Sequence, residues 1–247
     1  MIRDHLYKIL LLLSFLITAC NKDDSQGDDL LNKPEPGDTS GILIDKVSDI
    51  DGNTYKVVVI GTQTWMAENL KTTKLNDGTV IPQISDGTQW VRLISPGLCW
   101  YANDQPAYKS AHGALYNWYA VNSGKLAPAG WHIPTKEEWT TLTDYLGGEQ
   151  TAGGRMKEAG LVHWNAPNAE ATNSSGFSAI GSGARYGFCS GFHGLSDRVF
   201  FWTATSSAEV KDIAFYLHLD FRSGAVADST EVPGYKVYGY SVRCVKD

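Results

Sequence analysis

Gly130 to Gly148 reads GWHIPTKEEWTTLTDYLGG and specifies a helix from its start to its stop. Pro134 has no N–H to donate and stands naturally just ahead of a helix. Thr135 follows as the N-cap, and Glu138, three residues on, can return a hydrogen bond to the cap's own N–H, which makes T-K-E-E a capping box. Trp139, Leu142, Tyr145 and Leu146 then fall on one face at spacings of three and four, and Gly147-Gly148 supplies a left-handed stop. The expected element is a short amphipathic helix with Trp139 turned inward. Trp131 before it and Trp139 within it are expected to fasten a sheet-rich body against it. Caps and apolar stripes concern packing, so this stretch is a landmark for the fold and is silent on function.

Outward from the landmark, a short third helix is expected between Thr151 and Ala159, weakened by Gly153-Gly154. Upstream, Ala114, Leu115, Trp118 and Val121 share a helical face within Ala111 to Asn122. Ile42 to Val47 and Tyr55 to Ile60 read as a hairpin turning at Asp51-Gly52. Gly61 to Leu70 continues it as a strand with Trp65 in the core, followed by a turn at Asn76-Asp77-Gly78. Cys99 to Tyr101 reads as a short strand entering a polar loop at Asn103-Asp104. Beyond Gly176, strands are expected at Phe177 to Ile180, Val199 to Thr205, Ile213 to Leu219 and Val237 to Val245. In the third of these, Ile213, Phe215, Leu217 and Leu219 share a face. Two large loops are expected, Ser182 to Arg198 and Asp220 to Lys236.

The chain begins with Arg3 and Lys8 ahead of an apolar run from Ile9 to Ile17, too short for a spanning helix of about 20 residues and suited to a secretory signal over residues 1–19. Ile17-Thr-Ala-Cys20 resembles the lipobox of bacterial lipoproteins, in which the cysteine takes a diacylglyceryl group, so Cys20 is the expected lipidation site. Residues 20–40 are rich in acids, Gly and Pro and have little to bury, the composition of a disordered tether. Asp23 and Asp24 look like the lipoprotein export signal of the Bacteroidota, which implies a lipid-anchored protein on the outer membrane, exposed at the cell surface. Residues 41–247 suffice for one domain. A formal charge of -6 with a pI near 5.5 argues against a nucleic-acid partner, which needs a basic stripe. Cys99, Cys189 and Cys244 remain, so at most one intrachain disulfide can form among them; three buried thiols are the alternative.

No residue pattern announces catalysis. Asp49-Ile-Asp-Gly-Asn53 invites a calcium reading, but a full EF-hand loop would need Glu where Ile60 stands, so a turn is expected and no metal. His112, His132, His163, His193 and His218 are dispersed without zinc spacing, and His132 is expected as a packed residue or a cap partner. Asp104, Asp197, Asp220 and Glu68 are available to a glycosidase, yet none sits in a motif. No serine elbow, P-loop or C-x-x-C is present, and no cofactor is expected. The candidate ligand-binding residues are Arg185, Tyr186, Phe188, Phe192, His193 and Asp197 in the loop Ser182 to Arg198. Either the rings there stack on a sugar face while partly wet, or they pin the loop to the body.

The order DGNTYKVVVIGTQTWMAENL, CWYAND, ALYNWYAV, GWHIPTKEEWTTL, GFSAIGSGARY, FFWTATS and GYSVRCVKD resembles the Fibrobacter succinogenes major paralogous domain, a family of secreted and lipid-anchored bacterial proteins, over nearly everything after Gly41. IPTKEEW and the closing YSVRCV are similar to segments of the formylglycine-generating-enzyme group. That likeness implies an α+β fold: a single C-type-lectin-like domain with a mainly antiparallel twisted sheet, two to three short helices and long loops. The aerobic enzymes of that group use a close cysteine pair just before their ending, which this chain lacks, so their oxidase chemistry is not implied. The expected function is non-catalytic binding of an extracellular glycan or a protein partner by a surface lipoprotein. An enzyme acting on cell-surface polymers or on another exported protein, and a structural envelope component, are the alternatives.

Overall fold

The computed structural model describes residues 43–187, 191–228 and 234–247. The signal 1–19, Cys20 and the tether 20–40, as well as Phe188 and Cys189, lie outside the described residues. The expected hairpin forms: β1 (Leu43–Ser48) pairs antiparallel with β2 (Thr54–Ile60). Its turn is built by Asp49, whose carboxylate accepts from the N–H groups of Asp51 and Asn53 at 3.0 and 2.9 Å and from the Tyr55 hydroxyl. Asp51 in turn accepts from Thr73 N–H at 2.6 Å and pairs with Lys74. Both carboxylates of D-x-D-G are thus used to shape the chain. β3 (Gln63–Met66) extends the hairpin, with Trp65 fully buried.

The next stretch departs from expectation. After α1 (Gly87–Trp90) and β4 (Leu98–Cys99), helix α2 runs from Gln105 to His112, where the sequence reading had a polar loop. Asp104 caps it by accepting from Ala107 N–H, and Pro106 occupies the first turn, so the start signals were present. The helix expected over Ala111 to Asn122 is broken at Gly113 (φ +72°), where an added Cβ would lie 2.7 Å from the carbonyl oxygen of Leu70. The chain then enters β5 (Leu115–Tyr116), paired with β4, and the four-residue α3 (Trp118–Val121) capped by Asn117. Leu115 and Trp118 are buried as expected, but a short buried strand and a helix turn carry the same apolar spacing.

β6 (Trp131–His132) precedes α4 (Lys136–Tyr145), which has the expected cap and capping box on Thr135 and Glu138. Trp139, Leu142 and Leu146 are buried, whereas Tyr145 is 46 % exposed: its ring lies outside, against Gly61. α5 (Glu149–Met156) follows. Phe177 to Ile180 forms no strand; Ala179 makes one isolated bridge to Lys157. The expected loop Ser182 to Arg198 contains a hairpin of β7 (Ser182–Arg185) and β8 (Phe192–Leu195). β9 (Arg198–Ser206) and β10 (Ile213–Asp220) stand where strands were expected. The expected single buried face of β10 is corrected: Ala214 and Tyr216 pack in one core and Leu217 and Leu219 in the other, while Ile213 and Phe215 are half-buried. β11 (Val226–Asp228), β12 (Gly234–Tyr235) and β13 (Val245–Lys246) complete the chain. Most of the strand expected over Val237 to Val245 is instead extended chain, because Gly239, Tyr240 and Ser241 each bridge to a different element.

The result is a mixed α and β fold with mostly antiparallel sheets and five α-helices among the described residues, more than the two or three expected. One sheet has the order β1-β2-β3-β13-β6; the other runs β11-β10-β9-β7-β8 with β12 also on β10; β4 and β5 form a third. Strand alternation divides the core in two. Phe200 and Trp202 of β9 pack with Tyr116, Tyr216 and Tyr240, while Val199 and Phe201 pack with Trp65, Trp139 and Phe177. Cys99 and Cys244 are buried free thiols, and burial raises both pKa values, that of Cys99 to about 12. Among the described residues no helix is long and apolar enough to cross a membrane.

Candidate functional site

The segment from Lys157 to Ile180 carries no regular strand, yet it is held at many points. Lys157 is fully buried and its ammonium donates to the carbonyls of Ala169, Asp220 and Ser223 at 2.9, 3.0 and 2.7 Å. Burial pushes its pKa down to about 8. Asn168, Glu170, Asn173 and Ser178 all have φ between +44° and +59°. Non-glycine residues persist in that region only where surrounding contacts over-determine them, and such residues cluster at binding sites. Here the contacts include Asn168 Nδ2 to the carbonyls of Glu158 and Gly160, and a reciprocal pair between Asn173 and Ser178.

This rigid segment forms one wall of a cleft of about 400 Å³; the others come from Lys56 on β2, Glu68 and Asn69 after β3, and Ser110 and Ala111 on α2. Its floor is Arg243, fully buried, which donates to Asn69 Oδ1 at 2.7 Å and to the carbonyls of Met66, Phe177 and Ser178. With no carboxylate in contact among the described residues, burial outweighs the pull of Glu68 and pushes this guanidinium down to about 9. Asn69 also donates to the His112 carbonyl at 2.8 Å, which fixes the end of α2 over the cleft. Glu68 accepts from Lys56 N–H at 2.7 Å, and Glu158 bonds His163 Nδ1 at 2.8 Å.

From the cleft a row of aromatic rings crosses the surface. His163, His112, Tyr108, Tyr101 and Phe192 follow one another at centroid separations of 5.5, 5.4, 5.2 and 5.3 Å, and all five are half-buried. Burial, assisted by His163, pushes the His112 imidazole down to about 4, so this ring is uncharged at neutral pH. Its buried Nδ1 has no hydrogen-bond partner among the described residues. Tyr101 can lie on the β7–β8 hairpin because position 183 is Gly (φ +63°), where a Cβ would stand 2.7 Å from the ring.

The residues singled out from the sequence meet different fates. Arg185 is 2 % exposed, donates to the carbonyls of Ile84 and Ser85 at 2.6 and 2.8 Å, and is held between Trp90 and Phe192. Tyr186 packs edge-on against Tyr238 at 5.1 Å and near His193 at 5.6 Å, and burial raises its phenol pKa. Phe192 belongs to the ring row, His193 is exposed, and Asp197 accepts from Asn165 at 2.9 Å. Of the four carboxylates, Glu68 reaches the cleft; Asp104 caps α2 and Asp220 pairs with Arg198 at 2.8 Å. Tyr108, Glu158 and Asn173 were not foreseen. For Asn173 alone there is a local signal, the Asn-rich, Ser-rich character of Asn165 to Ser175, which marks a turn-prone segment and no particular chemistry.

A family model described as the Fibrobacter succinogenes major domain matches residues 58–246. No curated protein and no solved structure matches the chain.

Proposed function

The chain belongs to the Fibrobacter succinogenes major domain family, and from that premise we propose that it is a non-catalytic, surface-exposed lipoprotein whose domain binds an extracellular glycan. The observation that carries this reading is the row of half-buried rings leading into a polar cleft. Sugar rings have apolar faces that stack on aromatic side chains and rims of hydroxyls that need paired donors and acceptors. Tyr108 and Phe192 offer the first kind of surface; Glu158, Glu68, Asn173 and Lys56 offer the second. The cleft volume lies within the range of small-molecule sites, and its walls are held before any ligand arrives, which lowers the ordering cost of binding.

The same reading takes the fold as C-type-lectin-like. Its support is the pairing of β13, at the end of the chain, with β3 near the start of the domain, together with long segments that carry the cleft. Lipidation at Cys20 and display on the outer membrane rest on the sequence signals alone.

A glycan array probed with the domain from Gly41 onward tests the proposal. Binding by the wild type, lost in Tyr108→Ala with an unchanged thermal midpoint, is the expected result. No binding by a folded domain to any glycan would overturn it. Glu68 and Glu158 line one cleft, and a glycosidase needs two carboxylates across a sugar bond. Steady consumption of the bound glycan, abolished by Glu158→Gln, would therefore replace the binder by an enzyme.

A further inference from the structure

Beside the cleft lies a second, shallower groove of about 490 Å³, lined by Asn53, Lys71, Gln105, Pro106, Lys109 and Ser110. Ser110 lines both cavities, so they meet along α2. Lys71 and Lys109 bring two ammonium groups to this groove, and neither pairs with a carboxylate among the described residues. Lys74 and Lys125, by contrast, are paired with Asp51 and Asp77 at 3.1 and 2.8 Å. Nor are the two groups free to wander. Lys71 Nζ sits 5.2 Å from the centroid of the buried Tyr55 ring and Lys109 Nζ 5.7 Å from that of the buried Trp100 ring. Their stems cover apolar surface while the heads face water, which holds the charges in place at small entropic cost.

The whole chain has a formal charge of -6, so its mean field repels polyanions. Two uncompensated cations fixed in one groove therefore make a local exception, and a concave site focuses such a field. Resting on the glycan reading above, we infer that the ligand is an acidic polysaccharide. Its neutral, hydroxyl-bearing part occupies the cleft, and an anionic substituent, carboxylate or sulfate, is held by Lys71 and Lys109. In the cleft Glu68 and Glu158 are balanced by Lys56 and Arg243, whereas the groove lining has two lysines and no carboxylate, which assigns the acidic group to the groove. Asp104 caps the near end of α2 but lines neither cavity.

The full chain, purified in detergent, is tested against immobilised polygalacturonate and a sulfated galactan, and against the carboxyl-reduced and desulfated forms of the same polymers. One of the two acidic polymers is expected to bind at least about tenfold more tightly than its neutral form, with the advantage shrinking as salt is added. Which acidic polymer binds tells carboxylate from sulfate. Lys71→Gln with Lys109→Gln keeps most of each stem and is expected to remove the advantage while leaving affinity for the neutral form unchanged. Equal affinity for acidic and neutral forms, or a folded double variant that keeps the discrimination, overturns the acidic assignment and leaves the glycan reading standing. Failure of the folded wild type to bind any of the four polymers also overturns the assignment, and the array then decides the glycan reading separately.

Discussion

His132 Nε2 lies 2.7 Å from Glu138 Oε1, and the second oxygen of that carboxylate accepts the N–H of Thr135 at 2.8 Å. One side chain therefore closes the capping box of α4 and receives an imidazole from β6. The other imidazole nitrogen, Nδ1, is 2.7 Å from Asp247 Oδ1. The start of α4 and the last residue of the chain are thus joined through a single ring.

This ring makes stability depend on pH. Burial lowers the His132 pKa, but hydrogen bonds to Asp247 and Glu138 outweigh it and the net shift is upward. A folded pKa above the unfolded one means that the protonated ring stabilises the fold below the unfolded value, near 6.5. The contribution is lost as pH rises through the higher folded value. The gap in thermal midpoint between wild type and His132→Gln is expected to be widest near about pH 5.5 and to narrow by about pH 8.5. A gap that grows with pH would refute the linkage. The ring is partly exposed, so added salt should shrink the effect.

Trp139 is 2 % exposed and packs on Trp65 and Phe201 at 4.7 and 5.5 Å between centroids. Trp139→Ala is expected to cost about 3 to 5 kcal/mol, and Thr135→Ala only about 1 kcal/mol through the lost cap. Urea midpoints and slopes measure both. Equal costs would mean that the ring contributes less packing than its burial implies.

Lys157→Met keeps the stem against Trp164 but leaves three backbone carbonyls without their donor. The expected loss is about 2 to 4 kcal/mol. Because those carbonyls belong to the cleft wall and to the turn after β10, amide hydrogen exchange should accelerate first in residues 168–178. Unchanged protection there would show that the wall is held by other contacts.

Arg185→Ala removes a guanidinium that bridges two carbonyls between two rings, and about 3 kcal/mol of stability should go with it. His193→Ala, on the exposed face of the same hairpin, is expected to stay within about 0.5 kcal/mol of wild type. A stable Arg185→Ala domain that has lost ligand binding would return this arginine to the recognition surface.

Cys20→Ala is expected to abolish incorporation of a fatty-acid probe and retention in the membrane fraction while residues 41–247 still fold. Continued labelling of the variant would rule out the anchor.

Residues close in sequence were legible where their pattern is local. Pro134, Thr135 and Glu138 announced α4 because a cap and its partner are three residues apart; Asp51-Gly52 announced the first hairpin for a similar reason. The strand β10 followed from alternation, and β9 from its strand-like composition. The errors arose where apolar spacing is ambiguous. Leu115 and Trp118 are buried, but Gly113 must press against Leu70, and that long-range contact broke the expected helix. Tyr145 turned outward, and its ring lies against Gly61, a contact with a residue far from α4 in sequence.

The sequence by itself determined a domain of mixed α and β elements, its landmark helix and its resemblance to a family. Only the tertiary structure decided which side chains meet. Phe192, Tyr101, Tyr108, His112 and His163 come from four separate stretches, and Lys56, Glu68, Ser110, Glu158 and Asn173 also from four. Capping and periodicity act across a few residues and leave a local trace, whereas a cleft is made by chain crossings. The contacts that fix those crossings, such as Arg243 to Met66 and Phe177 and Lys157 to Ala169 and Asp220, join residues whose spacing along the chain carries no repeating signal.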